Sequence, residues 1–291
     1  MSCLRDLLVN AIDYAGLFPP AGLDMESTVK NYAAYRKSPD RWALGRLVVP
    51  VSRLGEFESK AAPVLEPGEP WPLSVLGGTD AAADLQAIAA FQDRHLKDVR
   101  IASLELKAAS VAEIRQAAAT IAGRIETFFE IPLGENLAEL MRAIHDVRAR
   151  AKVRTGGLKP GMVPSPEELA GFLRTAAETG PAFKATAGLH HALRSVRPLT
   201  YESGCETDLM HGFINVFVAA ALAFMKQDKY GASVLDERDV RGFQFGESQL
   251  SWHGHEVARN DVKRVREGFL LSFGSCSFEE PIAELKELRL L

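Results

Sequence analysis

Two lysines in this sequence stand where a lysine is seldom found unless it has a chemical role. Lys152 begins the stretch Lys-Val-Arg-Thr-Gly-Gly, and Lys184 begins the stretch Lys-Ala-Thr-Ala-Gly, thirty-two residues further along. Both stretches have the pattern of short strands. A lysine in a buried strand must either be paired with a carboxylate or have a chemical role. Two ammonium groups facing each other inside a barrel would lower each other's pKa, and a neutral lysine amine attacks carbonyl carbon. The sequence therefore predicts amine catalysis on a carbonyl compound, with Lys152 or Lys184 as the nucleophile.

Further polar side chains are predicted to serve the same site. Glu105 and Glu130 each have apolar neighbours on both sides, so each is expected to be buried or at a strand end and to need a partner. In a lysine-based mechanism these two glutamates would move protons, directly or through water. Arg53 and Arg154 are expected to hold an anionic group of the substrate. The predicted substrate-binding residues are Asp13, Arg53, Arg154, Thr155, Thr186 and His190.

These residues belong to a repeated alternation of strand-like and helix-like segments. Eight such units predict a closed (β/α)8 barrel of the TIM type, an α/β fold, because alternating strands and helices give a parallel sheet. We expect one domain over residues 1–291, with extra C-terminal helices from about residue 256. The predicted helices include 81–93, 110–121, 137–150 and 167–178, two of them with capping boxes. The predicted strands are 8–12, 46–51, 71–76, 99–106, 125–131, 151–155, 182–186 and, as the eighth, the region 243–247.

Loop lengths give a second argument for a barrel enzyme. The segments that follow strands are long and rich in glycine, proline and polar residues, as in 13–24, 155–164 and 188–207, whereas helices lead into strands through short connections. In a (β/α)8 barrel all strand-to-helix loops lie on one face, where active sites are built. The alternative architecture is an open doubly wound sheet. Against it, no Gly-x-Gly-x-x-Gly follows the first predicted strand, where a dinucleotide site would need it.

Around the two lysines the sequence resembles the deoxyribose-phosphate aldolases. Lys-x-x-Thr-Gly at the sixth strand and Lys-Ala-Thr-Ala-Gly at the seventh are similar to the paired lysine strands of that family, and the resemblance spans about residues 125–190. The family consists of metal-independent class I (β/α)8 aldolases. The resemblance implies that Lys152 forms the Schiff base, that Lys184 lowers its pKa, and that Glu130 matches an acidic position. The chain has Glu105 where the family has an aspartate, and residues 245–251 lack its glycine-serine phosphate loop.

Two other functions use overlapping sets of residues. A metal-dependent barrel enzyme would need carboxylate and imidazole ligands suited to Mn, Fe or Zn, although no pair has a diagnostic spacing such as His-Glu-x-x-His. A non-enzymatic barrel would bind a small anion. The aldolase-like mechanism differs from the metal alternative because it requires no metal and no cofactor. The metal ligands would come from Asp13, Glu105, Glu130, His190 and His191, and the anion would be held by Arg53, Arg154, Lys184 and the Thr-Gly-Gly turn.

The composition limits the class of protein and its partners. The chain has 291 residues, of which 47% are hydrophobic and 25% charged, as in an ordinary globular protein with a large core. A formal charge of −4 gives no basic surface for nucleic acid, and the longest apolar stretch, 216–225, is too short to span a membrane. Three unpatterned cysteines and no signal-peptide pattern favour the cytoplasm. We expect a small-molecule substrate as the partner. The apolar segment 212–225 predicts a buried helix or a homo-oligomer contact.

Overall fold

A closed barrel of eight parallel strands forms the centre of the protein. The computed structural model describes residues 2–66, 68–95 and 97–291. Around the barrel the strands follow their order in the chain, and the first strand pairs with both the second and the last. Helices connect successive barrel strands. The chain therefore has the predicted (β/α)8 TIM barrel fold, and the open doubly wound sheet is excluded.

Strands and helices alternate along the chain as follows. The barrel strands are β1 (Ile12–Tyr14), β2 (Leu44–Pro50), β3 (Trp71–Leu76), β4 (Val99–Lys107), β5 (Glu126–Glu130), β6 (Arg150–Arg154), β7 (Phe183–Thr186) and β13 (Leu270–Ser275). The strands outside the barrel are β8 (Ser195–Pro198), β9 (Thr207–Met210), β10 (Phe243–Phe245), β11 (Gln249–Trp252) and β12 (His255–Ala258). The helices are α1 (Cys3–Leu8), α2 (Met25–Lys37), α3 (Leu54–Ala61), α4 (Ala81–Arg94), α5 (Val111–Ile121), α6 (Leu137–Asp146), α7 (Pro166–Thr179), α8 (Phe213–Phe224), α9 (Gly231–Asp236), α10 (Arg259–Gly268) and α11 (Glu279–Glu287).

Capping boxes start two of the helices, as predicted. At α5, Ser110 accepts a hydrogen bond from the backbone N–H of Glu113, and the Glu113 carboxylate accepts one from the backbone N–H of Ser110. Ser165 and Glu168 form the same reciprocal pair at α7, where Pro166 occupies the first helical position. These bonds satisfy N–H groups that have no partner within the helix, and proline has no N–H to leave unpaired there. The two helices therefore begin where the sequence predicts.

The first barrel strand lies further along the chain than residues 8–12, so that prediction is wrong in position. Residues 3–8 form helix α1, in which Leu4, Leu7 and Leu8 are buried. Their spacing of three and four residues places them on one side of a helix. The run is so short that its apolar residues could equally have predicted a strand. Asp6 of the same helix forms an ion pair with Arg259 of α10. Strand β1 then begins at Ile12.

The eighth barrel strand lies within the segment predicted to hold only C-terminal helices. Residues 243–247 do not join the barrel, because Phe243–Phe245 is an edge strand of a three-stranded antiparallel sheet with β11 and β12. The barrel is closed instead by β13, which pairs with β7 on one side and β1 on the other. Residues after 256 therefore supply the helices α10 and α11 and, between them, an essential strand. A short apolar run such as β13 cannot be distinguished from a buried helical turn by periodicity alone.

The long connections do not all lie on one face of the barrel. Between α8 and β13 the chain forms α9, the antiparallel sheet and α10, so this helix-to-strand connection is long where a short one is predicted. The segment between β7 and α8 is long as predicted, and it contains an antiparallel hairpin of β8 and β9. Only this second insertion follows the carboxyl end of a barrel strand. It is therefore the one that can contribute to a site at that end.

The most apolar segment of the sequence is a helix buried within the chain. Every residue of α8 from Phe213 to Ala223 is at most 3% exposed. The helix packs against α7, α9, α10 and β13, and Phe213 stacks on Phe273 of that strand. The predicted buried helix is confirmed, and the homo-oligomer stays a prediction. Within the described ranges, no helix has both the length and the apolar character that crossing a membrane requires.

Candidate active site

Six charged side chains of alternating sign form a continuous row that begins inside the barrel. We call it the charged row. Register explains how it arises, because Glu130 on β5 lies opposite Lys152 on β6, and Lys152 lies opposite Lys184 on β7. Residues in register on neighbouring barrel strands point to the same side at the same level. In order of contact, the members are Asp13, Lys184, Glu105, Lys152, Glu130 and Arg154.

Lys184 lies at the buried end of the charged row. Its ammonium is 2.5 Å from Asp13 Oδ2 and 2.8 Å from Glu105 Oε1, and its side chain is 1% exposed. Ser272 donates a hydrogen bond of 2.7 Å to Asp13. Burial lowers the pKa of Lys184, but the two carboxylates outweigh burial and the pKa lies above its usual value. Lys184 is therefore an ammonium at neutral pH, and the prediction that its pKa is lowered is wrong.

Glu105 connects the two lysines. Its Oε1 accepts a hydrogen bond from Lys184, and its Oε2 lies 2.8 Å from Lys152 Nζ. Ser74 also donates to Glu105 Oε1. Burial raises the pKa of Glu105, but the two ammonium groups lower it more, so that the pKa lies well below its usual range. Glu105 is therefore a carboxylate that holds one amine on each of its two oxygens.

Lys152 lies between Glu105 and a second carboxylate, Glu130. Its Nζ is 2.9 Å from Glu130 Oε2, and its side chain is 5% exposed. Glu130 in turn is 3.3 Å from the guanidinium of Arg154, which is 45% exposed. Burial raises the pKa of Glu130, but Lys152 and Arg154 lower it more, so Glu130 is also ionised. The charged row thus runs from a fully buried ammonium to a guanidinium in contact with solvent.

A second group of ion pairs occupies the amino-terminal ends of the barrel strands. Arg46 donates to Ser103 at 2.8 Å and to Glu126 at 2.7 Å, and Arg150 donates to the same glutamate at 2.6 Å. Ser103 is also hydrogen-bonded to Ser74, at 2.6 Å, which links this group to Glu105. These pairs fill the barrel beneath the lysines. The lysines can therefore be approached from the carboxyl ends of the strands.

A cavity of about 630 Å³ opens above the two lysines. Glu105, Lys152 and Lys184 line it, together with Arg154 and Thr186. Glu105, Arg154 and Thr186 lie at or near the carboxyl ends of β4, β6 and β7, and each lysine lies two residues before the end of its strand. The carboxyl end of a (β/α)8 barrel is where enzymes of this fold carry their active sites. The volume is in the range of sites that bind small molecules. The two lysine side chains therefore form part of the floor of the cavity.

Two segments extend over the cavity and are bonded to each other: the loop between β6 and α7, and the β8–β9 hairpin. The backbone N–H of Gly161 in the loop donates to Asp208 in the hairpin at 3.1 Å. His211, just after β9, bonds through Nε2 to the carbonyl of Pro164 at 2.8 Å. Because Arg194 donates to Nδ1 of the same ring, Nε2 carries the proton. We call these two segments the cover.

One wall of the cavity combines the predicted His190 with three side chains that the sequence did not reveal, those of Tyr201, Cys276 and Glu280. Tyr201 donates a hydrogen bond of 2.8 Å to Glu280, and its hydroxyl lies 3.7 Å from Cys276 Sγ. The same sulfur is 3.8 Å from both ring nitrogens of His190. Burial lowers the pKa of His190 to about 4, so its ring is neutral at pH 7. This wall therefore presents uncharged polar groups, plus one carboxylate, opposite the lysine floor.

The structure brings most of the predicted site residues together, and two of them lie elsewhere. Arg53 is bonded at 2.7 Å to Glu56, three residues later, and is not among the residues that line the cavity. Thr155 is buried, and its hydroxyl donates to the carbonyl of Ala187, which ties the end of β6 to that of β7. The residues that line the cavity are Glu105, Lys152, Arg154, Lys184, Thr186 and His190, and Asp13 and Glu130 contact them through the lysines.

Glu130 also faces a second cavity. This space of about 640 Å³ lies among the loops that follow β4, β5 and β6, and it shares Arg154 with the first cavity. Glu130 bonds to Lys152 through one oxygen and to Arg154 through the other. A proton passed from Lys152 to Glu130 therefore has a route to solvent on this side of the barrel.

The side chains predicted as metal ligands do not converge on one point. Oxygen atoms of Asp13, Glu105 and Glu130 are bonded to the lysine ammonium groups. His191 Nδ1 lies 2.7 Å from Glu284 instead. Among the residues that the structure describes, no three His, Cys, Asp or Glu side chains are grouped as a metal site requires. The metal-dependent alternative therefore has no ligand set in this part of the chain.

Comparisons with known proteins do not assign the chain to a family. No family model matches the sequence, and no curated protein matches it. Among solved structures, the chain is similar to FabK from Thermotoga maritima, with 11% identity and a TM-score of 0.39, over 99% of this chain and 82% of that one. It is also similar to the spore cortex-lytic enzyme SleL from Bacillus megaterium QM B1551, with 12% identity and a TM-score of 0.38, over 91% of this chain and 70% of that one. Both likenesses are too weak to bear on activity, so the function has to be inferred from the site.

Proposed function

We propose that this protein is a lysine-dependent enzyme of the aldolase or lyase type, which makes or breaks a carbon–carbon bond near a carbonyl group. One observation carries the proposal: two buried lysine amines contact the two oxygens of Glu105 on the floor of a cavity at the carboxyl end of a (β/α)8 barrel. Burying two ammonium groups costs free energy that an apolar core would avoid. A chemical role for at least one of them accounts for that cost.

In this proposal Lys152 is the nucleophile and Lys184 is the cation that activates it. Lys184 keeps its proton because, despite burial, Asp13 and Glu105 hold its pKa above the usual value. Lys152 must lose its proton before it can attack, and Glu130, 2.9 Å away, is placed to accept that proton. The ammonium of Lys184 on the other oxygen of Glu105 partly neutralises this carboxylate. It thereby weakens the stabilisation of a charged Lys152.

The proposed reaction is a carbon–carbon cleavage through an iminium ion. The neutral Lys152 amine adds to the carbonyl carbon, and the resulting carbinolamine loses water to give the iminium. The bond between the α and β carbons then breaks, its electron pair forms the enamine double bond while the C=N pair moves to nitrogen, and the hydroxyl on the β carbon loses its proton as that fragment departs with a new carbonyl. A proton returns to the enamine carbon, and water releases the product and the free amine. Glu105 and Glu130 move the protons, directly or through water.

An anionic group of the substrate would bind near the mouth of the cavity. Arg154 and Arg197 line the cavity, with side chains 45% and 40% exposed. Each has a carboxylate partner, Glu130 or Glu284, and retains further N–H donors for an anion. Arg197 thus replaces the distant Arg53 in this role. A glycine-serine pair, which the aldolase resemblance places after the eighth strand, stands at positions 274–275 at the end of β13.

Borohydride trapping is the direct test of this function. The protein is incubated with small aldehydes and ketones, with and without EDTA, and borohydride reduces any iminium to a stable secondary amine that mass spectrometry locates. We expect one adduct, on Lys152, that is unaffected by EDTA and absent from Lys152→Met. Loss of the activating cation in Lys184→Met should slow trapping by about 100-fold. Lys159→Met, at an exposed position in the cover, is the matched control and should be trapped like the unchanged protein.

The other outcomes have definite meanings. Labelling spread over surface lysines, and equal in Lys152→Met, would remove the amine mechanism and leave a barrel that binds an anion without chemistry. An adduct on Lys184 alone would keep the iminium chemistry and exchange the roles of the two lysines. Circular dichroism of each variant establishes that a lost adduct does not result from unfolding.

A further inference from the structure

Above its charged floor, the cavity has apolar walls on the sides away from the polar wall of Tyr201, Glu280 and His190. The wall residues come from three places: the loop between β1 and α2, the ends of β2 and β3, and the cover. A sugar carries hydroxyl groups on most of its carbons, and those that face the apolar walls would be left without partners, which costs free energy. An apolar group forms no hydrogen bonds with water and therefore has none to lose against these walls. The apolar wall residues are Phe18, Pro19, Pro20, Val48, Leu76, Leu158, Pro198, Leu199 and Met210.

Large apolar side chains are also exposed on the cover, and two of them line the cavity. Leu158 is 42% exposed and Tyr201 is 58% exposed, and both line the cavity. Met162 and Val196, 46% and 62% exposed, lie in the same two segments of the cover. In the described ranges, the large hydrophobic side chains that are exposed elsewhere are those of residues 9 and 291. Concentration of exposed apolar surface at one place is typical of a ligand-binding site.

The cavity is larger than the reacting groups require. Its volume of about 630 Å³ corresponds to the share of roughly 20 water molecules in the liquid. A small carbonyl compound such as acetone or pyruvate displaces only a few of these waters and leaves the upper walls wet. A ligand with an apolar body removes that surface from water, which favours binding.

We infer that the substrate is an amphipathic carbonyl compound. Its carbonyl carbon reaches Lys152 on the floor, and an aliphatic or aromatic body several carbons long fills the cavity between the apolar walls. Any anionic group then lies at the end remote from the carbonyl, beside Arg154 and Arg197. This inference rests on the proposed function and specifies the substrate class of the same site.

A series of straight-chain methyl ketones, from acetone upward, tests the inference in two measurements. The first is the second-order rate constant for borohydride trapping of each ketone on Lys152. The second uses the corresponding secondary alcohols, which cannot form an iminium, and measures how far each one raises the melting temperature. We expect the trapping rate constant to rise about threefold to fourfold with each added methylene until the chain fills the cavity. Over the same range, each longer alcohol should raise the melting temperature further, because it binds more tightly.

A matched pair of leucine variants locates the effect. Leu158→Ser removes a half-exposed wall residue, so the variant should fold normally and should weaken trapping of the longest ketones about threefold or more. Leu291→Ser removes a leucine of similar exposure, 44%, that is not among the cavity-lining residues, and it should change neither measurement.

The two measurements separate failure of this inference from failure of the proposed chemistry. Trapping on Lys152 with rates that stay flat or fall along the series overturns the amphipathic substrate and leaves the lysine chemistry standing. If no ketone is trapped, but longer alcohols stabilise the protein and Leu158→Ser removes that effect, the chemistry fails and the apolar site stands. If neither trapping nor stabilisation is seen, both are wrong.

Discussion

Lys184 shows, at the scale of single residues, how this barrel tolerates charges in its interior. In the charged row from Asp13 to Arg154, which contains three acids and three bases, each ion contacts at least one neighbour of opposite sign. A buried ion without such partners would cost several kcal/mol. Removal of one member therefore leaves its neighbours uncompensated. The same contacts that prepare the site for amine chemistry make its residues important for stability.

We predict that Lys184→Met lowers the free energy of unfolding by about 3–5 kcal/mol, because Asp13 and Glu105 lose their shared ammonium. Urea unfolding at pH 7, followed by circular dichroism, measures the loss. The double variant Asp13→Asn with Lys184→Met should recover part of it, since asparagine carries no charge to compensate. Lys159→Met should stay within about 0.5 kcal/mol of the unchanged protein. A double variant no more stable than the single one would contradict the ionic explanation.

The sequence predicted the floor of the site better than its walls. Lys152 and Lys184 stand out because a lysine at the start of a short apolar strand is unusual. Tyr201 has no comparable signal, because it lies in the irregular part of a long insertion. Cys276 directly follows β13, whereas the sequence predicted the eighth strand at 243–247. Arg53 shows the opposite error: its partner Glu56 stands three residues later, a spacing typical of local ion pairs.

At the scale of elements, the cover depends on a histidine that must remain neutral. His211 is fully buried and joins the hairpin to the other segment of the cover through the carbonyl of Pro164. Burial lowers the pKa of His211 to about 4. Protonation would place a positive charge beside the guanidinium of Arg194, which now donates to this ring. The cover is therefore an element whose stability depends on pH.

Acid should destabilise the protein through this histidine well before its carboxylates are protonated. The unfolded chain binds a proton on His211 at a pKa of about 6.5 and the folded chain only near 4, so stability is full above pH 6.5 and decreases as the pH falls towards 4. His211 alone should contribute a loss of about 3 kcal/mol, and His190, whose pKa burial also lowers to about 4, should add to it in the same pH range. Urea unfolding between pH 7 and pH 4.5 measures it, and His211→Gln should show a shallower dependence. An unchanged slope in that variant would remove His211 as the cause.

The segments that follow β6 and β7 approach so closely that a side chain at Gly188 would be crowded by backbone. Gly188 has φ of 77°, and a Cβ there would lie 3.1 Å from the Cα of Gly156. We predict that Gly188→Ala lowers the free energy of unfolding by about 1–2 kcal/mol more than Gly161→Ala does. Gly161 has nearly the same φ, 78°, with open space around its Cβ position. Equal losses would mean that backbone conformation, not the close approach, governs this position.

Most elements in the middle of the chain were predictable, and those near its ends were not. Strands β3 to β7 are apolar runs between helices with clear amphipathic patterns and capping boxes. Strand β1 has only three residues, and the buried leucines before it form a helix. Strand β13 follows an insertion that contains three short strands of its own. Local pattern cannot decide which of several short strands joins a barrel, because barrel closure is a long-range property.

At the scale of the whole molecule, the barrel is closed by pairing of its last strand, β13, with its first, β1. Ile12 lies opposite Phe273, and Asp13 accepts a hydrogen bond from Ser272, 259 positions later. After this strand, α11 returns to the segment around the hairpin, where Glu284 pairs with both His191 and Arg197. The segment after residue 256 is therefore an integral part of the fold.

Truncation should show this dependence directly. A chain ending at Gly268 lacks β13 and leaves one edge of β1 and one edge of β7 unpaired, so we expect no cooperative unfolding and strong aggregation. A chain ending at Ser277 keeps all eight strands and should retain a cooperative, though weaker, transition. Thermal unfolding followed by circular dichroism, with size-exclusion chromatography, distinguishes the two chains. A cooperative transition in the shorter chain would mean that the barrel does not need its eighth strand.

Closure by the final strand also determines when this protein can fold during its synthesis. Strand β1 leaves the ribosome early, yet one of its edges has no partner until β13 has been made. Until then the growing sheet has two unpaired edges, and such edges readily bind other chains. Asp13, which pairs with Lys184, likewise lacks its hydrogen bond from Ser272 until that strand has been made. Assembly of the complete site therefore cannot precede synthesis of β13, and a ribosomal pause before this strand would prolong the period in which nascent chains can aggregate.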